Sequence, residues 1–267
     1  MKKFSFFVEV RGDSDGRKLK KFLEKTPEFD VNREMGNLSR ATGLHFAGMR
    51  ANYAIISVLL AHPAIKVNKR DSEGRTVFFW CCWDKDLKIV ELLLKDSRVD
   101  INLEDNLGRT PLWCVSYWGD VDVIKLMVAS GRELNLDAKA TFADNVYTAI
   151  EIAREKNKTE VVSLLERFIS DQEKTRREIR LELGVVDKDA AELFAMTVFL
   201  CDDILRLRTF PLHNLNPPAV RFFGMISRLP MELQMIVCRR AFGSSKDRVR
   251  MADSELAFRN IAKSFSA

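Results

Sequence analysis

Hydrophobic residues recur along the first two thirds of the chain in pairs of short runs that are divided by a polar break. One pair consists of an apolar run over residues 111–118, a break at Gly119 and Asp120, and a second run over residues 123–128. Runs of this length predict two short helices joined by a tight turn. The apolar residues near the end of the second run recur as Leu59 and Leu60, Leu93 and Leu94, Met127 and Val128, and Leu164 and Leu165.

A polar turn precedes the pairs of runs and keeps a regular period. The segments over residues 71–78 and 105–112 both contain the pattern D-x-x-G-x-T, in which glycine predicts a positive φ at Gly74 and Gly108. Pro111 suits the first turn of a helix, where no backbone donor is lost. The threonines predicted to cap the first helices, 34, 34 and 38 residues apart, are Thr42, Thr76, Thr110 and Thr148. The asparagines that close the units are Asn32, Asn68, Asn102 and Asn135.

This D-x-x-G-x-T-P-L unit with its two helical runs resembles the ankyrin repeat. The resemblance implies an all-α solenoid of paired antiparallel helices with hairpin loops. We expect an ankyrin-repeat domain over residues 1–183 and a helical C-terminal extension or cap over residues 184–267. Within the first domain we expect an N-terminal cap over about residues 1–30, four repeats over about residues 31–169, and a long last helix that reaches residue 183.

The outer repeats carry two further predictions. Residues 42–47 read T-G-L-H-F-A, close to the T-P-L-H-x-A of the family, which implies that His45 makes local hydrogen bonds that hold neighbouring loops. In the fourth unit Asn135 and Thr148 stand further apart than their counterparts in the middle units, which predicts a longer finger over residues 138–144. Gly184 is predicted to end the last helix of the repeat domain.

Composition narrows the function classes. The net charge of +5 is spread over interleaved acidic and basic residues, so we expect no nucleic-acid or membrane binding through bulk charge. Five cysteines without a C-x-x-C motif predict reduced, buried thiols in a cytoplasmic protein, with a nuclear location left open. Three scattered histidines and the lack of phosphate-loop or hydrolase motifs predict no metal, no cofactor and no catalysis. We expect a monomer with a protein partner of unknown identity.

Exposed aromatic residues give the sharpest functional prediction. Trp83, Tyr117 and Trp118 stand at columns of the repeat that face the concave surface in the family, and this surface binds partner proteins together with the hairpin tips. Aromatic residues and arginine dominate interface hot spots. The alternative is that Trp83 and Tyr117 simply pack against neighbouring helices. The predicted strip consists of Ser72, Glu73, Arg75, Trp83, Asp84, Asn106, Leu107, Arg109, Tyr117 and Trp118.

The tail beyond Gly184 loses the repeat period and is predicted to form about four helices. Its sequence over residues 229–236 resembles the opening L-P-x-E-L-x-x-x-I of the F-box, and some poxvirus ankyrin proteins carry such a tail (PRANC). The resemblance implies an alternative function, a substrate adaptor of a cullin-type ubiquitin ligase, with adaptor contacts at Leu229, Pro230, Leu233 and Ile236. A capping bundle is the main interpretation. Two weaker interpretations of the tail are an enzyme with its active site there and a nucleic-acid contact at the basic residues 239–250.

Overall fold

The computed structural model describes residues 16–34, 39–186, 188–189, 193, 231–241 and 257. The chain divides into two compact units, residues 1–176 and residues 177–267. The helices of the first unit are α1 Arg17–Lys25, α2 Gly43–Met49, α3 Tyr53–Leu60, α4 Val77–Trp83, α5 Leu87–Lys95, α6 Pro111–Trp118, α7 Val121–Ala129, α8 Ala149–Glu155 and α9 Thr159–Ser170. Helix α10, Gln172–Glu182, crosses the division, and α11, Met231–Ala241, lies in the second unit.

Four helix pairs, α2–α3, α4–α5, α6–α7 and α8–α9, follow the predicted period. Each first helix begins directly after the predicted threonine, and the Thr76 and Thr110 hydroxyls accept the backbone N–H of Phe79 and Trp113 at 3.2 and 3.1 Å. Pro111 occupies the first turn of α6. The all-α repeat architecture is therefore confirmed, because the caps, the period and the helix pairs agree.

The polar turn before α4 and α6 is organised by an aspartate. One Asp71 carboxylate oxygen accepts the backbone N–H of Glu73 and of Arg75 at 2.9 Å each, and Asp105 does the same for the next turn. The turns close through Gly74 and Gly108 with φ of 78° and 77°, as predicted. A short polar side chain that bonds its own backbone two residues on stabilises such turns.

Successive repeats stack through their helices and through asparagine bridges. First helices pack against first helices, α2 on α4, α4 on α6 and α6 on α8, and α5 packs on α7 in the second row. The Asn68 amide donates to the Arg98 carbonyl and accepts the Asp100 N–H, both at 2.8 Å, which joins the end of one repeat to the next. Asn32 and Asn102 form the same kind of bridge. The asparagine column thus supplies hydrogen bonds between repeats.

The longer finger of the fourth repeat is a β-hairpin. Strands β1, Ala140–Phe142, and β2, Asn145–Tyr147, pair antiparallel with Ala140 opposite Tyr147. The turn residues Ala143 and Asp144 both have positive φ, 47° and 67°, as a two-residue type I′ turn requires. The predicted finger is confirmed, and it adds one small sheet to the otherwise helical first unit.

The predicted single long helix up to residue 183 is wrong. Helix α9 ends at Ser170, and Asp171 has an extended backbone with φ of −150°. The Asp171 carboxylate then accepts the Lys174 N–H at 2.9 Å and caps α10. An aspartate that competes with the helix backbone in this way favours a break over continuation. Gly184, with φ of 66°, follows the end of α10, as predicted.

Few of the predictions for the tail fall on described residues. On α11, Leu233 is exposed and Ile236 is partly buried. Leu229, Pro230 and the greater part of the remaining predicted tail helices lie outside the described residues, as do residues 1–15 of the predicted cap. No helix in the described part of the chain is long and apolar enough to cross a bilayer.

His45 links two neighbouring repeats from inside the core. Its Nδ1 accepts the Thr42 backbone N–H at 3.1 Å, so the Nε2–H of the neutral ring donates to the Arg75 carbonyl, also at 3.1 Å. The side chain is buried, and the local structural role that the resemblance implied is confirmed. Burial lowers the pKa of His45 below its ordinary value, because the charged ring would lose its hydration.

The pKa of His45 predicts an acid-sensitive fold. The unfolded chain takes up a proton near pH 6.5 that the folded chain resists, so the free energy of unfolding falls as the pH drops below about 6.5 and levels off below the folded pKa. Between the folded pKa of His45 and about pH 6.5, we expect the free energy of unfolding to fall by up to about 1.4 kcal/mol per pH unit. Urea unfolding of the wild type, His45→Gln and His62→Gln between about pH 5 and 7.5 measures it. His45→Gln is expected to flatten the profile and His62→Gln to preserve it; equal slopes in all three would exclude His45 as the cause.

Candidate functional site

Three repeats contribute side chains to one aromatic pocket of about 130 Å³. Trp83 comes from the end of α4 and Trp118 from the end of α6, and Phe142 comes from strand β1 of the finger. The pocket is lined by Trp83, Arg109, Trp113, Cys114, Tyr117, Trp118 and Phe142, and we call this set the aromatic pocket. The stacking of the repeats therefore brings together residues that are far apart in sequence.

The rings of the aromatic pocket meet in the geometries that aromatic pairs prefer. Trp118 meets the rings of Trp83 and Tyr117 edge-on, with centroids 5.7 and 5.0 Å apart. Tyr117 stacks on Trp113 at 5.7 Å and lies 5.3 Å from Phe142. Such pairs add about 0.5–1.5 kcal/mol each beyond the burial of their area. The rings therefore hold one another in place without a partner.

Trp113 forms the floor of the pocket. Its side chain is 2% exposed, and its indole N–H donates to the Tyr147 carbonyl at 3.0 Å. It belongs to a buried cluster with Phe79, Ala140 and Ile152, which joins α4, α6, α8 and the finger. The pocket thus rests on the core of the repeats, which keeps the rim rings in a defined position.

Three cations lie against the rings. The Arg75 guanidinium is 4.7 Å from the ring centroid of Trp80 and 5.3 Å from that of Trp83. The Arg109 guanidinium lies 5.9 Å from the ring centroid of Trp83, and the Lys156 ammonium is 4.4 Å from that of Phe142. Cations over aromatic faces are attracted by the negative electron density of the ring. The chain's own cations therefore lie against these rings, and two of them, Arg75 and Arg109, are paired with carboxylates.

Arg75 and Arg109 stand at the same column of two repeats but have different surroundings. Arg109 donates its Nε–H to Asp105 at 2.8 Å and pairs with the same carboxylate through its terminal nitrogen. In the preceding repeat, the Trp80 indole N–H donates to the corresponding oxygen of Asp71 at 2.8 Å. Arg75 is displaced toward the next repeat, where it is only 9% exposed and pairs with Glu73 and Asp105. Arg75, a member of the predicted strip, is thus buried against Trp83, and its role in partner binding stays a prediction.

The structure separates the rest of the predicted strip into two places. Trp83, Arg109, Tyr117 and Trp118 line the aromatic pocket; Trp118 is 44% exposed, and the other three are partly buried. At the hairpin tips, the exposed residues are Ser72, Glu73, Asn106 and Leu107. The Asn106 amide donates to the Ser72 carbonyl at 2.9 Å, which ties adjacent tips together. Asp84 is exposed beside Trp83 and does not line the pocket.

Sequence reasoning missed Phe142 and Lys156 as members of the site. Phe142 precedes Ala143, Asp144 and Asn145. Two short runs that contain Thr, Phe, Val and Tyr on either side of an Asp-Asn pair are typical of a hairpin. Lys156 is the C-cap of α8 and stands at the repeat column of Trp118, which is a signal in the sequence, but the predicted strip does not include it. The packing of the finger on α6 places Phe142 beside Tyr117, and the packing of α8 on α6 places Lys156 there.

The cysteines of the described residues are buried and free, as predicted for Cys81, Cys82, Cys114 and Cys238. Burial raises the pKa of the Cys114 thiol to about 12 and raises that of Cys82 as well. A thiol that stays protonated is a poor nucleophile and metal ligand. In the described ranges, no group of three or more His, Cys, Asp or Glu residues forms a possible metal site.

Comparison with known families identifies the architecture. A family profile described as ankyrin repeats, in three copies, matches residues 10–105 and 85–176, well over half of the chain. The chain belongs to the ankyrin-repeat family. Ankyrin repeats are generally modules of protein–protein interaction. No curated protein matches this ankyrin-repeat chain. The F-box-like tail and the adaptor function stay predictions, because two of the four residues that would carry them lie outside the described residues.

Proposed function

We propose that this ankyrin-repeat protein binds a partner protein, without catalysis, through the aromatic pocket and the hairpin tips beside it. The observation that carries the proposal is the exposed rim of the pocket, above all Trp118, which leaves 44% of its surface to solvent at the end of α6. A large aromatic side chain in contact with water forgoes the free energy of burying its apolar area. Binding of a partner would recover it.

The size of the pocket supports a protein partner over a small metabolite. Sites for small molecules enclose about 300–1,000 Å³. The aromatic pocket measures about 130 Å³, which suits a single side chain of a partner. Interface hot spots have this form, with one anchor in a preformed pocket and near-neutral contacts around it. We assign the near-neutral contacts to the hairpin tips, where Glu73 and Leu107 are exposed.

Hydrogen-bond donors at the rim also support a protein partner. The buried tryptophans have acceptors, since Trp80 donates to Asp71 and Trp113 donates to Tyr147. For Trp83 and Trp118 there is no acceptor among the described residues of the chain. Indole N–H groups at interfaces usually find an acceptor on the partner. A backbone carbonyl or a carboxylate of the partner would serve.

Capture of binding partners tests the proposal. The full chain, Trp118→Ala and Tyr53→Ala are immobilised and exposed to the same cell lysate, and captured proteins are quantified by mass spectrometry. Trp118→Ala is expected to lower the capture of the specific partner at least tenfold, which corresponds to about 1.4 kcal/mol of binding free energy. Its melting temperature should stay close to that of the wild type, because Trp118 lies outside the core.

Tyr53→Ala is the matched control. Tyr53 is 50% exposed, as Trp118 is 44% exposed, but it lies on α3 and does not line the aromatic pocket. The control is expected to capture the partner like the wild type. Equal capture by all three proteins, or an equal loss in both variants, would place the binding surface elsewhere on the chain.

A further inference from the structure

The charges around the aromatic pocket specify the chemistry of the side chain that enters it and of its neighbours. Among the described residues that line the pocket, Arg109 is the only charged one. Lys156 adds a second cation, with its ammonium 4.4 Å from the Phe142 centroid and 5.3 Å from the Tyr117 centroid. Arg109 contacts Trp83 of the second repeat, whereas Lys156 caps a helix of the fourth. The two cations therefore stand on opposite sides of the pocket along the row of repeats.

Both cations retain donors for a partner. A guanidinium has five N–H donors, and Asp105 accepts bonds from the Nε and one terminal nitrogen of Arg109. The Lys156 ammonium has no carboxylate partner within the part of the chain that the structure describes. Cations with remaining donors beside an apolar pocket are complementary to carboxylates that flank an apolar side chain.

We propose that the aromatic pocket receives one apolar side chain of an acidic peptide segment whose carboxylates, on either side of that anchor, pair with Arg109 and Lys156. This inference rests on the proposed function, because it names the partner chemistry of the same site. The pocket volume of about 130 Å³ admits the anchor, and the rim tryptophans offer N–H donors to the peptide backbone. The segment belongs to a partner protein.

A methylated lysine of a partner is disfavoured as the occupant of the aromatic pocket by the contacts between the rings and the chain's own cations. Aromatic cages recognise quaternary ammonium groups when their ring faces are open. Here the rings of Trp83 and Phe142 already carry the chain's own cations. Asp105, a buried carboxylate, already pairs with both Arg75 and Arg109, so its charge is not available to a third cation. A further positive charge in the pocket would therefore be repelled by Lys156 and Arg109.

Selection of peptides on the full chain tests the inference. A phage library of random short peptides is selected on the wild type, and the recovered peptides are measured by fluorescence anisotropy against the wild type, Trp118→Ala, Lys156→Glu and Lys88→Glu. We expect recovered peptides to carry Asp or Glu on both sides of one apolar residue. Lys156→Glu is expected to weaken their binding about tenfold, and rising salt should weaken wild-type binding more than that of Lys156→Glu.

Lys88→Glu makes the same change in net charge at an exposed position of α5 that does not line the aromatic pocket, and it is expected to bind like the wild type. Peptides that need Trp118 but carry basic residues, or a trimethyl-lysine peptide that binds more tightly than its acidic counterpart, would overturn the acidic-segment inference and leave the proposed function standing. Recovered peptides that bind Trp118→Ala as well as the wild type would overturn both.

Discussion

Trp113→Ala is expected to lower the free energy of unfolding by about 3–5 kcal/mol, the range for a buried tryptophan or phenylalanine cut back to alanine. The side chain is 2% exposed and contacts both the finger and the neighbouring repeats. The change removes the stack on Tyr117 and leaves the Tyr147 carbonyl without its indole donor. Urea unfolding of the full chain, followed by circular dichroism, measures the loss.

Two companion variants separate the contributions at this position. Trp113→Phe keeps a ring in the cluster and removes the hydrogen bond to Tyr147, so it should cost clearly less than the alanine variant, about 1–2 kcal/mol. Trp118→Ala, at the end of the same helix, should cost less than about 1 kcal/mol, because much of its ring is in water. If Trp113→Ala cost no more than Trp118→Ala, the pocket would have no rigid floor.

Gly74→Ala is expected to destabilise the chain by about 3–4 kcal/mol. The residue has φ of 78°, where an added Cβ costs about 1–2 kcal/mol. The Cβ would also lie 2.8 Å from the Asn106 backbone nitrogen, which donates to Glu73 at 2.9 Å. Moving Asn106 away breaks two hydrogen bonds, the one from its backbone N–H to the Glu73 carbonyl and the one from its side-chain amide to the Ser72 carbonyl. Each is worth about 1 kcal/mol. Thermal and urea unfolding measure the loss.

Gly131→Ala provides the matched control for the strain. Gly131 has nearly the same φ, 77°, but an added Cβ meets no atom within 4 Å. Its substitution should cost only the backbone term, about 1–2 kcal/mol. The difference between the two variants isolates the contact between hairpin tips. Equal losses would mean that adjacent tips are not coupled through Asn106.

The repeat period, the caps and the turns could be predicted from the sequence because each depends on contacts within a few residues. Thr110 bonds the N–H three positions on, and Asp105 bonds the N–H groups two and four positions on. Glycine at position 108 is needed for the backbone of its own turn. The same local chemistry misled the prediction of one long last helix, where the helix-forming residues after Asp171 concealed a cap at Asp171 itself.

The aromatic columns were also visible in the sequence, but their grouping was not. The repeat period placed Trp83, Tyr117 and Trp118 on one side of the first helices, and all three line one pocket with Arg109. Phe142 does not follow the period, because it lies on the finger, which is an insertion, whereas Lys156 stands eight residues after Thr148 as Trp118 stands eight residues after Thr110. The place of Phe142 beside Tyr117 depends on how the hairpin folds back on α6, and that of Lys156 depends on how α8 packs on α6.

The sequence by itself therefore determined the repeat architecture, the helix boundaries set by caps, and the residue types available for binding. Tertiary structure alone decided which side chains meet. Arg75 and Arg109 show the reason: the same residue at the same column is buried in one repeat and lines the pocket in the next. Trp80 donates to the Asp71 oxygen that corresponds to the Asp105 oxygen bonded by Arg109. Trp80 and Arg75 compete for Asp71 within one repeat, and the pairing of Arg75 with Asp105 forms only when the next repeat stacks on it.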